Sequence, residues 1–110
     1  MIIDQNENLT IITQENASVI ELVKKIVTLY PKFKNNNLII HLNTIKPISL
    51  EEIIEFLRLS NQHRAAKHSF VIVNEGINTD KTPEEIVIVP TLQEAKDIIE
   101  MEEMERDLGF

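Results

Sequence analysis

Three histidines are the first side chains in this sequence whose chemistry suggests a reactive site. They are His41, His63 and His68. No two of them stand four residues apart, the spacing that places two imidazoles on one face of a zinc-binding helix. His63 and His68 are separated by an expected helix end, and His41 lies in a run typical of a strand. We therefore predict that the chain binds no metal ion.

Motifs for nucleophilic catalysis and for phosphate binding are also missing from the sequence. The chain has no cysteine, so it has neither a thiolate nucleophile nor a disulfide. Its two glycines, Gly76 and Gly109, cannot form a glycine-rich phosphate loop. No serine stands in a nucleophile elbow. We predict a protein that is not an enzyme and that needs no cofactor.

The composition favours a single acidic domain. The 110 residues include eighteen Asp and Glu against eleven Lys and Arg, a formal charge of −7 that repels the phosphate backbone of nucleic acids. With 43% hydrophobic residues the chain is long enough for one core. No window approaches the roughly 20 apolar residues of a membrane span, and the first residues do not resemble a signal peptide. We expect one domain over residues 1–110 in the cytoplasm, with no nucleic-acid or membrane partner.

Apolar periodicity predicts alternating strands and helices. Short β-branched runs indicate strands at 2–3, 9–13, 38–42, 70–73 and 86–89. Helical spacing indicates three helices: one at about 17–30, one that starts after Ser49 and runs to about 64, and one that starts after Thr91 and continues until Gly109. Pro31 is expected to end the first helix, and Thr91 with Glu94 to cap the third. The order β-β-α-β-α-β-β-α predicts an α/β fold, with a mixed sheet and interleaved helices packed on it. The later strands are expected to be buried on both faces.

Ser49 stands where the second helix is expected to begin. With Glu52 it forms the S-x-x-E pattern of a capping box, and Ile48 and Ile53 occupy the positions of a hydrophobic staple. Glu51 and Glu52 also place negative charge at the positive end of the helix dipole. The sequence therefore predicts a capping role for the Ser49 hydroxyl.

Two faces are predicted for the helix after Ser49. At about 100° per residue one apolar arc should face the core; it consists of Leu50, Ile53, Ile54 and Leu57. A mixed stripe falls on the opposite side; it consists of Glu52, Phe56, Leu59 and His63. Either another element of the fold covers Phe56 and Leu59, or these side chains form a surface for a partner or for a second copy.

The last helix is strongly acidic and ends in an apolar series. Residues 91–110 carry seven acids against Lys96 and Arg106. The apolar series consists of Met101, Met104, Leu108 and Phe110. The acids form either a solvated face or a docking surface for a basic partner, and the apolar series either holds the helix on the domain or meets a partner.

Residues 38–99 resemble the STAS family, which includes anti-sigma-factor antagonists and the cytosolic tails of sulfate transporters. The family's loop D-L-S-G-V-x-x-I-D-S-S-G lies over HLNTIKPISLEE (41–52). Its helix, its L-V-L-V strand and its closing strand and helix lie over IIEFLRLSNQHRAAKH, SFVIV and IVIVPTLQEAKDII. The resemblance implies a STAS-like sheet and a regulatory domain that binds proteins. The loop at 74–85 replaces a helix that the family carries between its fourth and fifth strands.

The phosphoserine motif of the family is not retained in this alignment. The phosphoaccepting serine falls on Glu51, the serine before it on Leu50, the aspartate on Ser49 and the glycine on Glu52. The resemblance therefore implies a scaffold that has lost the phosphoserine switch or carries a fixed negative charge there. A slip of one or two residues would instead bring Ser49 into register.

The closing segment VPTLQEAKDIIEMEEMERDLGF also resembles that of short proteins labelled ribonuclease Z. The enzyme of that name requires a clustered H-x-H-x-D-H zinc motif, which this sequence lacks. An accessory protein linked to such an enzyme is the alternative that this resemblance leaves.

The leading hypothesis is a non-enzymatic, STAS-like regulatory domain that binds another protein through the loop and helix after Ser49. The residues predicted to contact the partner are Ser49, Glu51, Glu52, Phe56, Leu59 and His63. The alternative is a structural homo-oligomer that uses the same helix face. Both hypotheses depend on the exposure of Phe56 and Leu59.

Overall fold

The computed structural model describes residues 1–14, 18–42, 48–77 and 79–109. Five strands of this described chain form one sheet: β1 (Ile2–Gln5), β2 (Leu9–Thr13), β3 (Asn37–His41), β4 (Phe70–Val73) and β5 (Val87–Val89). The helices are α1 (Val19–Phe33), α2 (Leu50–Ile54), α3 (Leu57–Ala65) and α4 (Leu92–Asp107), with a 3₁₀ turn at Thr79–Lys81. The predicted element order and the α/β class are confirmed. No helix within the described ranges is long and apolar enough to cross a bilayer.

The strands follow one another across the sheet in chain order. β1 is antiparallel to β2, with Ile3 opposite Ile12, and β2, β3, β4 and β5 are parallel to one another. A short turn at residues 6–8 joins β1 to β2, whereas parallel neighbours need a crossover connection. Helix α1 provides the crossover from β2 to β3, and α2 and α3, together the α2–α3 pair, provide the next. The sheet is therefore mixed, as predicted.

Alternate side chains of the central strands enter two separate cores. One face of the sheet packs against α1 and the α2–α3 pair; its strand residues include Leu38, Ile40, Phe70 and Ile72. The other face packs against α4; its strand residues include Ile39, Val71 and Val73. The uninterrupted apolar runs of β3 and β4 reflect this burial on both sides. β5, at the edge of the sheet, is only half-buried.

Helix α1 continues past Pro31, so the prediction that the proline ends it is wrong. Pro31 lies in the last turn, where the Lys34 amide still donates to the Tyr30 carbonyl at 2.9 Å. The proline lacks an amide hydrogen, so one helical hydrogen bond is lost. Phe33 is only 2% exposed, and burial of its ring, worth about 1.5–3 kcal/mol, offsets this loss. The helix begins at Val19 with Ser18 as its N-cap; the predicted start at residue 17 lies outside the described residues.

Of the two faces predicted for the helix after Ser49, the core position of Ile53 is confirmed, whereas the outer position of the stripe is wrong. Phe56 and His63 are fully buried and Leu59 is 3% exposed, whereas Ile54, which the pattern assigns to the core, is 43% exposed. The rings of Phe56 and His63 both lie near Phe70 of β4, with centroids 6.3 Å apart in each pair. The stripe that was expected to face outward therefore faces the sheet.

Helical spacing alone does not say which arc of the helix meets the sheet. At about 100° per residue, Ile53, Phe56 and His63 fall within roughly 80° of one another, so they can face the sheet together. Phe70 of β4 lies opposite this arc. A turn at Glu55 and Phe56 also separates α2 from α3. The Glu55 amide donates to the Glu52 carbonyl and the Phe56 amide to the Ile53 carbonyl, three residues back in each case, which is the tighter 3₁₀ pattern.

Ile53 and Ile54 are adjacent isoleucines that test which side of α2 is buried. We expect Ile53→Ala to lower the free energy of unfolding by about 2–5 kcal/mol, because it leaves a cavity in the core. Ile54→Ala, at an exposed position, should change it by about 0.5 kcal/mol or less. Urea denaturation followed by circular dichroism measures both values. Equal costs for the two substitutions would contradict the burial of Ile53.

Candidate functional site

Ser49 caps α2 as the sequence predicts. Its hydroxyl oxygen accepts a hydrogen bond from the Glu52 amide at 3.2 Å, and the hydroxyl donates to Glu52 Oε1 at 3.2 Å. The same carboxylate oxygen accepts from the Ser49 amide at 3.1 Å, which completes the capping box. Ile48 and Ile53 are buried in the same apolar cluster, as a hydrophobic staple requires. The Ser49 hydroxyl is therefore engaged within the helix start.

The six residues predicted to contact a partner divide into two groups. Ser49 and Glu51 are exposed, and Glu52 is half-buried at the helix start. Phe56, Leu59 and His63 lie in the core. The prediction that these last three lie on the outer face is wrong, because their arc of the helix packs against the sheet, with Phe56 and His63 near Phe70. Apart from Leu59, which lines a groove described below, any surface that α2 and α3 offer to a partner must use other side chains.

His63 is held in the core by two short hydrogen bonds. Its Nε2 atom lies 2.6 Å from the Asn36 carbonyl oxygen, and its Nδ1 atom lies 2.7 Å from the Tyr30 hydroxyl oxygen. A carbonyl oxygen can only accept, so Nε2 carries the proton and Nδ1 accepts from the Tyr30 hydroxyl. The His68 ring packs beside it, with centroids 5.3 Å apart. His63 therefore connects α3 to α1 and to the residue before β3.

Burial lowers the pKa of His63 to about 4. Desolvation of the charged imidazole is the main cause; the hydrogen bond to the Asn36 backbone opposes it, and the charges of His68 and Arg64 add to it. Burial also raises the pKa of Tyr30. Both partners of this hydrogen bond are thus uncharged at neutral pH.

A groove separates α1 from the α2–α3 pair on the surface of the domain. It has a volume of about 530 Å³, and it is lined by Val23, Val27, Ile54, Glu55, Arg58, Leu59 and Gln62. Val27 is 56% exposed and Ile54 is 43% exposed, whereas Leu59 belongs to the buried floor. Glu55, Arg58 and Gln62 form a polar rim on the side of the α2–α3 pair. Apolar side chains surrounded by a polar rim are typical of a protein-binding surface.

Sequence periodicity does not identify this groove because its exposed walls carry core-like residues. Val27 repeats at helical spacing with Val19, Val23 and Ile26, and Ile54 follows the buried Ile53. Periodicity reports which residues share a helix face. It does not report whether residues at the side of that face are buried against the sheet or line a groove beside a neighbouring helix. That depends on how the helices are placed.

Polar side chains meet at the end of the sheet where β2, β3 and β4 begin. Asn37 is 3% exposed, and its Oδ1 atom accepts from the Ser69 amide at 2.8 Å and from Arg106 at 3.3 Å. Its Nδ2 atom donates to Glu103 of α4. A cavity of about 260 Å³ lies beside this cluster. Since these side chains bond mainly to one another, we interpret the cluster as the attachment of α4 to the sheet.

Comparison with known proteins adds no assignment to this geometry. No protein-family model matches the chain, and no curated protein is significantly similar to it in sequence. Within the described residues, no group of three or more His, Asp or Glu side chains is arranged to hold a metal ion. The groove beside α2 is therefore the site on which a functional interpretation rests.

Substitution of Ser49 tests the contribution of the cap. We expect Ser49→Ala to lower the free energy of unfolding by about 1 kcal/mol, because the Glu52 amide loses its acceptor. Ser49→Asp keeps an acceptor at the helix start and should cost less. Urea denaturation of the two variants beside the wild type measures the difference. A neutral Ser49→Ala substitution would show that the capping box does not stabilise α2.

Acidification should destabilise the protein through His63. In the unfolded chain the imidazole titrates near its ordinary pKa of 6.5 and is protonated below that pH. In the folded protein the imidazole stays neutral until the pH falls to about 4. The stabilisation is fully present above pH 6.5 and is lost as the pH falls through 4. The total loss should be roughly 3 kcal/mol. Urea denaturation at a series of pH values measures it.

Two variants separate this effect from the titration of carboxylates. His63→Phe removes the imidazole and should flatten the pH dependence between 6.5 and 4 relative to the wild type. Tyr30→Phe keeps the imidazole, so it should retain the pH dependence while losing about 1 kcal/mol for one hydrogen bond. A His63→Phe variant with the pH dependence of the wild type would assign the effect to another group.

Proposed function

We propose that the protein is a non-enzymatic, STAS-like regulatory domain that binds another protein. The contact surface is the start of α2 together with the groove between α1 and the α2–α3 pair. The observation that carries the proposal is the groove, where Val27 and Ile54 leave large apolar side chains in water beside a polar rim. Exposed apolar side chains grouped in this way are characteristic of an interaction site.

The groove keeps the helix after Ser49 as the functional element but uses a different face of it. A helix or loop of the partner would place apolar side chains between Val27 and Ile54 and bury them without rearranging the core. Glu55 and Arg58 supply charges of opposite sign on the rim, which would fix the orientation of the bound segment. Leu59 contributes from beneath, as part of the floor.

The succession of elements supports the STAS part of the proposal. β3, the α2–α3 pair, β4, β5 and α4 follow one another in the order that the resemblance implies. Between β4 and β5 the described residues form only the short 3₁₀ turn Thr79–Lys81, where the family carries a helix. Residues 43–47 of the aligned loop lie outside the described residues.

Glu51 is the residue that the alignment places at the phosphoserine position of the family. It is exposed in the first turn of α2, and the capping box engages Glu52 instead. We therefore propose that Glu51 presents a fixed negative charge to the partner at the edge of the groove. A carboxylate there is stabilised by the helix dipole.

A homo-oligomer that uses the same groove is the second candidate. It would bury the same apolar side chains, but each copy carries a formal charge of −7, so self-association brings like charges together. Sedimentation velocity at increasing protein concentration distinguishes the two: we expect a constant monomer mass. An accessory role beside a ribonuclease Z-type enzyme rests only on the resemblance of the closing segment.

A charged double substitution in the groove should abolish partner binding. We expect the Val27→Glu plus Ile54→Glu variant to remain folded, because both positions are exposed, and to lose the proteins that the wild type captures from an extract of its source cells. Quantitative mass spectrometry of the captured proteins measures the loss.

The matched control places the same charge on the other face of the sheet. Met101→Glu plus Met104→Glu, at exposed positions of α4, should retain the proteins that bind in the groove. Circular dichroism confirms that each variant is folded. A folded groove variant that keeps every captured protein would refute the proposal.

A further inference from the structure

Three large apolar side chains of α4 point away from the sheet. Met101 and Met104 are 51% and 58% exposed, and Leu108, at the C-cap, is 73% exposed. With spacings of three and four residues, they lie along one side of the helix. Ala95 and Ile99, on the other side, are buried against the sheet.

Helix α4 is attached to the domain without these three residues. In addition to Ala95 and Ile99, its inner side carries Glu102, which pairs with Arg64 at 3.1 Å. Arg106 donates to the Ser69 hydroxyl at 3.2 Å. The alternative in which the apolar series holds the helix on the domain is therefore wrong for the three exposed residues. Phe110, the last residue of that series, lies outside the described residues.

This arrangement is the reverse of what a covering helix requires. A helix that serves only to bury one face of a sheet places apolar residues inward and charged residues outward. In the second half of α4 the charged Glu102 and Arg106 face inward, and Met101, Met104 and Leu108 face water. The exposed stripe adds nothing to the core and is accessible to another molecule.

Acidic side chains flank the stripe on both sides. Leu92–Asp107 contains seven acids and two bases, a net charge of −5. At about 100° per residue, Asp97 lies in line with the stripe one turn before Met101, two acids fall along one side of the stripe and two along the other. These four exposed residues are Glu100 and Asp107 on one side, and Glu94 and Glu105 on the other. The stripe is thus an apolar line bordered by negative charge.

We propose that the outer face of α4 docks a basic amphipathic helix of another protein. The stripe of Met101, Met104 and Leu108 receives the apolar side chains of that helix, and the acids on both flanks pair with its Lys and Arg residues. Methionine suits this role because its unbranched, polarisable side chain adapts to different apolar surfaces.

A second copy of this chain is a poor occupant of the same face. Each copy carries a formal charge of −7, so a partner of opposite charge gains electrostatic energy that a second copy does not. The stripe and the groove lie on helices that cover opposite faces of the sheet. A protein with both surfaces holds two partners at once.

The test uses a synthetic helical peptide as the probe. It has about 18 residues, roughly 27 Å as a helix, with Leu on one face and Lys on the other. Fluorescence anisotropy of the labelled peptide is measured against the full chain at about 0.15 M ionic strength, where charges farther apart than about 8 Å are largely screened. We expect the basic peptide to bind, and a peptide with every Lys replaced by Glu not to bind.

Substitutions in the stripe separate docking from simple charge attraction. Met101→Gln plus Met104→Gln leaves the charge unchanged and should weaken binding at least about tenfold, since two buried apolar side chains are lost. Met104→Glu adds a negative charge, so charge attraction alone predicts tighter binding, whereas docking of an apolar face predicts weaker binding. Val27→Gln plus Ile54→Gln, in the groove, should leave the affinity for this peptide unchanged.

Three outcomes would overturn the proposal. They are unchanged affinity in the double glutamine variant of the stripe, tighter binding by Met104→Glu, and self-association of the wild type that Met104→Glu abolishes. Thermal unfolding checks the fold of each variant, and Met104→Gln alone carries the comparison if the double variant is destabilised. The groove proposal is tested by its own variant, Val27→Glu plus Ile54→Glu, and lies on the other face of the sheet, so failure of this proposal leaves it untouched.

Discussion

Burial of β3 and β4 on both faces governs where the helices of this fold are placed. Their side chains alternate between two cores, so each face of the sheet must be covered by helices. Successive parallel strands are joined by crossovers of one hand, which brings α1 and the α2–α3 pair to the same face. The groove forms where these helices lie side by side. The surface that we propose for partner binding is thus a consequence of strand order.

The same constraint explains how a histidine is accommodated in the core. The His63 ring packs near Phe70 of the sheet. Burial of an imidazole there without hydrogen bonds would cost folding free energy. Tyr30 and the Asn36 carbonyl satisfy both ring nitrogens. The polar contact therefore fixes α3 relative to α1, the two helices that border the groove. A residue that was predicted to contact a partner is instead buried between the helices that border the groove.

Helix α4 meets a different environment at each end of the sheet. Its first half lies over Val71 and Val73 and places Ala95 and Ile99 against them. Its second half lies over the beginnings of the strands, where Asn37 and Ser69 offer hydrogen-bonding groups. Charged side chains are therefore drawn inward there, and the apolar ones remain in water. The methionines are exposed because the beginnings of the strands are polar and because no element in the described part of the chain covers them.

Features that depend on neighbouring residues are readable from the amino-acid sequence. Strand positions follow from runs of β-branched residues, and the capping box follows from Ser49 and Glu52 at a fixed spacing. The element order and the α/β class follow from these local patterns. Each of these features involves interactions over only a few positions, so no knowledge of distant contacts is needed.

Which side chains remain exposed depends on contacts between distant segments of the chain. Ile54 and Phe56 are both apolar and two residues apart, yet one lines the groove and the other is fully buried, because they project about 200° apart around the helix and Phe70 lies opposite the second. Helix α1 continues beyond Pro31 because the core has room for Phe33. Exposure depends on what a distant segment places against a residue. That information is not contained in the local pattern.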